Sequence, residues 1–363
     1  MTMSNQQRET LTMTFAAKRT DGVFILRGQP IHRGHIRNIR EALKRIDGNL
    51  YVIFGSAGSS VSIKNPFGVI TRMDMLAHAL RNTDIDSTRI LVRTVNDSLY
   101  NDTKWQTDVR QVLMGGNVKY IFGHNKDNSS FYLNIFPELE FVELGEFTTA
   151  SGAVIHATSI RNALFTHGEL TSSIRELLPP GVDTIIEGYM QTDNWVRLRE
   201  DWEYYQMERL KFAGYPYPEA LNCCTADPVV ICDGYVLLVQ RRSAPGRGLV
   251  ALPGGHKEAN ESFLQCAMRE LREETGLKVP EKVLRGSIKQ QYMFDNPGRS
   301  MVFCKPSMAY HIEIQPNPDG KLPKVKAGSD AVRAEWVSLA WCRENRTRFY
   351  DDHFEIISHF TGI

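Results

Sequence analysis

From residue 21 the chain alternates short apolar runs with stretches whose apolar residues recur every three or four positions. Residues 22–27 (GVFILR) form one such run, Ile36, Ile39, Leu43 and Ile46 then follow at helical spacing, and residues 50–56 (LYVIFGS) make a second run. Further strands are expected at 90–95, 118–123 and 140–144. This alternation predicts an α/β fold, a doubly wound, Rossmann-like parallel sheet that binds ligands beyond the carboxyl ends of its strands. Leu178, Pro179, Pro180 and Gly181 close the unit as a turn cluster. Residues 192–212 are charged, aromatic and helix-prone, which suits a connecting helix packed between domains, or else a partner surface. From Thr225 the pattern turns to strands at 228–232 and 235–241 around an Asp233-Gly234 hairpin turn, with more near 287–294, 308–314 and 335–337. The expected division is a loosely packed or disordered N-terminus at 1–20, a first domain at 21–184, a connecting helix and linker at 185–222, and a second domain at 223–363.

Within the second domain, residues 255–277 read GHKEANESFLQCAMRELREETGL and fit G-x5-E-x7-R-E-U-x-E-E-x-G-U without a mismatch, U being a bulky aliphatic residue. Ser262 and Gln265 form a capping box and Gly276 is placed to end the helix, so a helix over 263–275 is expected. That helix sets Glu270, Glu273 and Glu274 side by side. Ala267, Glu270, Leu271 and Glu274 share one stripe, so the acids border the face that packs on the core. An acidic face merely laced by Arg269 and Arg272 would not share a stripe with Ala267 and Leu271. Burying unpaired carboxylates is expensive, and a divalent cation relieves the cost. An all-carboxylate set suits Mg2+ or Mn2+ rather than zinc, and such an ion bridges a diphosphate and activates water.

A second constellation follows the first strand directly: Arg27-Gly28-Gln29-Pro30-Ile31-His32-Arg33-Gly34-His35. His32 and His35 are three apart where a helix begins, beside the positive end of its dipole, and Gly34 lets a nucleotide approach the backbone. This arrangement suits holding ATP phosphates and stabilising charge as an adenylyl group moves, with no residue covalently modified.

Composition narrows the partners. At 363 residues two domains are the default, and 43 basic against 42 acidic residues leave a formal net charge of +1. That balance argues against bulk electrostatic binding to nucleic acid or an anionic membrane. No apolar run reaches transmembrane length and residues 1–20 lack a signal-peptide core, so a cytoplasmic location is expected. The six cysteines include no C-x-x-C pair, which leaves reduced thiols rather than a zinc site. The composition is compatible with a homo-oligomer.

The 255–277 stretch resembles the Nudix box, whose family folds as an α/β/α sandwich. There the glutamates of R-E-U-x-E-E ligate metal or act as base and the arginine orients them, which implies those roles for Arg269, Glu270, Glu273 and Glu274. Leu252-Pro253-Gly254-Gly255 looks like the family's turn, whose backbone at Gly254 approaches metal and phosphates. The 27–35 stretch resembles the nucleotidyltransferase superfamily and, through G-R-F-Q-P-x-H-x-G-H, its nicotinamide-nucleotide adenylyltransferase branch. Here Leu26 replaces the first glycine and Gly28 the phenylalanine. The resemblance implies nucleotide contacts at Arg27, Gly28, Gln29 and Gly34 and catalysis by His32 and His35. Ala157-Thr158-Ser159-Ile160-Arg161 is similar to a shortened form of the superfamily's I-S-x-T-x-x-R phosphate site, with Ser159 as helix cap and Arg161 clamping the triphosphate.

By the same resemblance, Asn101 and Trp105 contact nicotinamide mononucleotide (NMN), although Trp105 also shares helical spacing with Val109 and Val112 and fits a core equally. Gly123, Lys126 and Asp127 look like a ribose and phosphate contact, and Arg72 beside Asn65-Pro66-Phe67 like another phosphate contact. Residues 294–300 (FDNPGRS) resemble an ADP-ribose-hydrolysing group, which implies substrate contacts at Phe294 and Arg299. That group continues with arginines where this chain has Met301-Val302-Phe303-Cys304, and its tail resembles Asp330-Ala331 and Asp351-Asp352-His353-Phe354. The whole implies a bifunctional enzyme of NAD metabolism: NMN and ATP give NAD and pyrophosphate in one domain, and ADP-ribose gives AMP and ribose 5-phosphate in the other. The rivals are a second substrate such as NADH or another nucleoside diphosphate derivative, and a nucleotide-sensing regulator that binds DNA. A regulator would carry a decayed box and a basic helix-turn-helix, whereas this box is intact.

Overall fold

Continuous apolar runs need cover on both faces, and the first unit supplies it. A computed structural model describes residues 19–81, 83–125, 128–148, 152, 154–216, 221–328 and 331–363; Lys126, Asp127 and Asp330 lie outside the described residues. In chain order the first unit has β1 (Asp21–Leu26), α1 (Arg33–Leu43), β2 (Leu50–Phe54), α2 (Val69–Arg81), β3 (Ile90–Thr94), α3 (Asp102–Val112), β4 (Val118–Gly123), β5 (Glu140–Glu143), α4 (Ala157–His167), α5 (Ser172–Leu177) and α6 (Val182–Tyr189). The five strands are parallel in the order β3-β2-β1-β4-β5, with every residue of β1 and β2 buried. The order reverses between β1 and β4, which opens a crevice at their carboxyl ends. The core continues past residue 184 through Ile186 of α6 to Trp195 and Leu198.

Those last two residues belong to α7 (Asp193–Lys211), capped by Thr192 and carrying Arg209 and Lys211 in its last turn. One side of α7 stacks Trp195 and Trp202 on Phe165 of α4, at 5.0 and 5.6 Å between centroids. Its other contacts reach the second unit: Asp201 accepts from the Gly246 amide at 2.9 Å, Glu200 pairs with Arg247 at 2.9 Å, and Arg209 donates to the Met301 carbonyl at 2.9 Å. The buried Arg197, paired with Asp201 at 3.2 Å, returns to the Val61 carbonyl at 2.7 Å. The helix is thus a wedge tied on both sides.

The second unit comprises β6 (Thr225–Cys232), β7 (Tyr235–Arg241), β8 (Val250–Ala251), β9 (Gly255–His256), α8 (Phe263–Thr275), α9 (Glu281–Gly286), β10 (Ile288–Phe294), β11 (Ser307–Ile314), β12 (Ala331–Ser338), α10 (Leu339–Glu344) and α11 (His353–Thr361). Its mixed sheet runs β10-β11-β6-β7-β12, with β8 beside β7 and β9 beside β6. Asp233 and Gly234 both take positive φ (49° and 76°), the geometry of a two-residue hairpin turn. Helix α8 carries the Ser262–Gln265 capping box and ends on Gly276 at φ 52°, while Cys266, Ala267, Met268 and Leu271 bury its inner face.

Candidate active sites

The crevice between β1 and β4 deepens into a cavity of about 1230 Å3. Arg27, Gly28, Gln29, His32, Gly34, His35, Trp105, Gly123, Ser159 and Arg161 all line it. Gly28 has φ +61°, and a Cβ there would stand 2.9 Å from both Ile31 and Phe54, so this turn has no room for a side chain where the motif carries phenylalanine. His32 precedes α1; its backbone N–H donates to His35 Nδ1 at 3.2 Å, and the two rings lie 3.7 Å apart. A Cβ on Gly34 would come within 3.0 Å of the His32 ring, so glycine keeps the histidine pair closely packed.

Two buried arginines at and behind the strand ends are held by neutral oxygens. Arg161 is buried and donates to the Gln29 carbonyl at 2.7 Å and Thr158 Oγ1 at 3.1 Å, and burial pushes its guanidinium down to about 10. Gln29 is fixed by a reciprocal pair with the backbone of Phe67, each bond 2.9 Å. Arg72, expected as a phosphate contact, instead lies in the interior and donates to the carbonyls of Arg27, Gly55 and Ser56 at 2.6, 2.8 and 3.1 Å, tying together the ends of β1 and β2. Burial brings it down to about 10 as well. Arg27 remains exposed at the cavity.

Other residues take different places from those expected. Helix α4 starts at Ala157 behind His156, so Ser159 sits inside the first turn rather than capping it. Asn101 caps α3 by accepting from the Lys104 amide at 2.9 Å, and Asp102 rather than Asn101 reaches the cavity. Trp105 is half-buried, edge-on to Tyr132 at 6.3 Å, and serves the core and the cavity wall together. His124, beyond β4, is held between Glu143 at 2.6 Å and Glu146 at 3.1 Å.

The second site gathers on α8. Arg269 donates to both Glu261 oxygens at 2.8 and 3.1 Å, to Glu270 at 2.8 Å, to Glu273 at 3.1 Å and to the His256 carbonyl at 3.1 Å. It holds Glu261 down to about 2. Glu270 faces inward, its side chain only 13% exposed, and burial pushes its carboxyl up against the pull of Arg269. Glu274 accepts from the Gly254 amide at 3.0 Å, yet burial, with Glu270 and Asp227 nearby, pushes it up to about 7. Glu273 stands apart with its side chain 58% exposed.

Two glycines let the turn approach these acids. A Cβ on Gly255 would lie 2.4 Å from the Glu270 carboxylate, and one on Gly254 would lie 2.1 Å from Asp227. Among the described residues no three acidic, histidine or cysteine side chains already converge on a metal position. Two buried-side carboxylates that resist ionisation beside an open backbone fit the hard, water-rich coordination of Mg2+ or Mn2+, which takes one or two protein carboxylates and completes its shell from phosphates and water.

Phe294 and Arg299 lie in the interior. Phe294 is fully buried, and Arg299 clamps Asp352 with two bonds of 2.8 and 3.0 Å and donates to the Lys305 carbonyl at 2.7 Å. Asp227, which no motif marked, and His353, in the stretch that resembles the group's tail, support the turn and its acids. Asp227 accepts from Ser307, and His353 Nδ1 accepts from the Leu252 amide at 2.9 Å, fixing the turn before Gly254. An aspartate inside the apolar run of β6 is the signal that would have found the first.

Comparison with known proteins joins these observations. Residues 20–136 match the cytidylyltransferase-like family and residues 225–360 the NUDIX domain. A nicotinamide/nicotinic acid mononucleotide adenylyltransferase from Acinetobacter baylyi is 31% identical over 185 residues, 50% of this chain and 92% of that protein. An ADP-ribose pyrophosphatase from Methanocaldococcus jannaschii is 31% identical over 134 residues, 37% of this chain and 70% of that protein. The crystal structure of a bifunctional NMN adenylyltransferase/ADP ribose pyrophosphatase from Francisella tularensis, complexed with AMP and Mn ion, superposes with a TM-score of 0.85 at 28% identity, covering 95% of this chain and 99% of that one. The chain therefore belongs to the family that joins a nicotinamide-nucleotide adenylyltransferase domain to a Nudix hydrolase domain.

Proposed function

We propose that the first site makes NAD from NMN and ATP and that the second hydrolyses ADP-ribose to AMP and ribose 5-phosphate. In the first, an NMN phosphate oxygen attacks the α-phosphorus of ATP, and the bond to the departing pyrophosphate breaks. His32 and His35 at the start of α1, with Arg27 and Arg161, face the charge that gathers on the transferring group. Arg161, whose hydrogen-bond partners are neutral oxygens, keeps its charge for the triphosphate, while Arg72 ties together the ends of β1 and β2.

In the second, water adds to a phosphorus of the diphosphate and the bridging P–O bond breaks. Glu270 and Glu274 would hold a divalent metal, Mg2+ or Mn2+, while Arg269 orients Glu270 and Glu261 anchors Arg269. When bound, that ion supplies charge neutralisation and acidified water. The carrying observation is the Glu270–Glu274 pair, pressed against Gly254 and Gly255 with too little counter-charge of its own. Six free thiols suit a reducing, cytosolic setting.

The arginine-free 301–304 stretch favours a second reading, in which the Nudix site takes NADH or another nucleoside diphosphate derivative. Product analysis of the purified protein with Mg2+ separates the readings. We expect NAD and pyrophosphate from ATP with NMN, and AMP with ribose 5-phosphate from ADP-ribose. Cleavage of NADH with ADP-ribose left intact would replace the second assignment, and no NAD from the first pair would remove the first.

A further inference from the structure

The cavity of the first domain is not built by that domain alone. Asn296, on the loop after β10 in the Nudix domain, lines it beside Asp97, Ser98, Leu99 and Asp102. The wall it joins, residues 97–100, has no helix or strand of its own. Ser56 holds Asp97 from within the first domain, by an amide bond of 3.1 Å and a hydroxyl bond of 2.5 Å. The second domain supplies further tethers. Asn296 Nδ2 donates to the Leu99 carbonyl at 3.3 Å, the Tyr100 hydroxyl donates to Asp352 at 2.5 Å, and Arg346 donates to the Asp97 carbonyl at 2.7 Å. Tyr100 also packs edge-on against Phe294 at 4.8 Å. From the other side, Lys64 donates to the carbonyls of Gly298 and Ser300, so the loop bearing Asn296 is gripped twice by the first domain.

The wall runs directly into α3, so Asp97, Asp102 and the ring of Trp105 make this part of the lining acidic and aromatic, whereas Arg27, Arg161 and the two histidines are the lining groups that suit a triphosphate. A pyridinium cation is attracted by carboxylates and by an aromatic face, and a triphosphate is repelled by the same carboxylates. We propose that the Nudix domain completes the mononucleotide end of the adenylyltransferase cavity, with Asn296 a positioning residue that acts through the Leu99 backbone. The inference rests on the nucleotidyl transfer proposed above.

Asn296→Asp is the sharpest test in the full-length protein. Asn296 Oδ1 accepts from the Gly298 amide at 2.8 Å, a bond that aspartate keeps, while the donor to Leu99 is lost and a negative charge is added to a lining that already carries Asp97 and Asp102. Tyr100→Phe is the second variant, keeping the ring and removing the bond to Asp352. KM is measured for NMN at saturating ATP and for ATP at saturating NMN. Asn296→Asp should raise KM for NMN roughly tenfold and Tyr100→Phe roughly threefold, with KM for ATP within about twofold of the parent. An unchanged KM for NMN in both variants, or equal rises for both substrates, overturns the inference and leaves the proposed reaction standing. A parent protein that makes no NAD overturns the proposed reaction and this inference with it.

Discussion

The two sites hold charge of opposite sign, and each does so by leaving one kind of group short of counter-charge. In the first, Arg161 is buried against carbonyl and hydroxyl oxygens, so its positive charge is hydrogen-bonded but not neutralised by those partners. In the second, Arg269 is committed to Glu261, Glu270 and Glu273, and the deficit falls on Glu274. Burying a charge without an ion partner is unfavourable, so each arrangement gains stability when the missing partner arrives. On the function proposed above, the partner is a polyanion for the first and a metal ion that brings a diphosphate for the second. The contrast separates residues that face ligand from those that only hold them.

The contrast can be broken in graded steps. The largest effect is expected from Glu274→Gln, which removes a carboxylate from the proposed metal site and should lower hydrolysis by about 10²-fold or more. Arg161→Met should cut adenylyl transfer roughly 10²-fold, since it removes a preorganised cation, and steady-state kinetics should show the loss in ATP turnover with hydrolysis unaltered. Gly255→Ala puts a Cβ against the Glu270 carboxylate and should weaken Mn2+ binding about tenfold in a calorimetric titration. An unchanged affinity would mean that Glu270 is not a ligand.

The smallest effect concerns Glu261 and acid. Its carboxyl is held near 2 in the folded protein, below its ordinary 4.5, so the stability it contributes is present above about 4.5 and is lost as pH falls toward 2. Glu261→Gln should therefore lower Tm at pH 6 by more than at pH 3, and a difference that stayed constant across that range would remove the ion pair from the account.

How much of this was legible in the sequence depended on how local the signals were. Helix α8 was expected over the residues it occupies, because Ser262, Gln265 and Gly276 set its ends within one short segment. His32, Gly34 and His35 reach the cavity because a strand, a turn and a helix start place them without help from afar. Ser159 was misjudged as a cap because α4 begins two residues earlier, at a helix start with no capping side chain. Phe294 and Arg299 were expected to face substrate, but their partners include Tyr100, Asp352 and Lys305, contacts that no periodicity announces. Arg72 is similar, since its role depends on where the ends of β1 and β2 meet. The wall at 97–100 combines residues nearly 200 positions apart, so only the tertiary structure could reveal it.

The most direct test of two opposed sites in one chain is a crossover. His35→Ala and Glu274→Gln, each in the full-length protein with Mg2+, are assayed side by side for NAD synthesis and for ADP-ribose hydrolysis. The account predicts that His35→Ala loses about 10²-fold or more in synthesis and keeps hydrolysis, while Glu274→Gln does the reverse. Loss of both reactions in either variant, with the fold intact by circular dichroism, would contradict it.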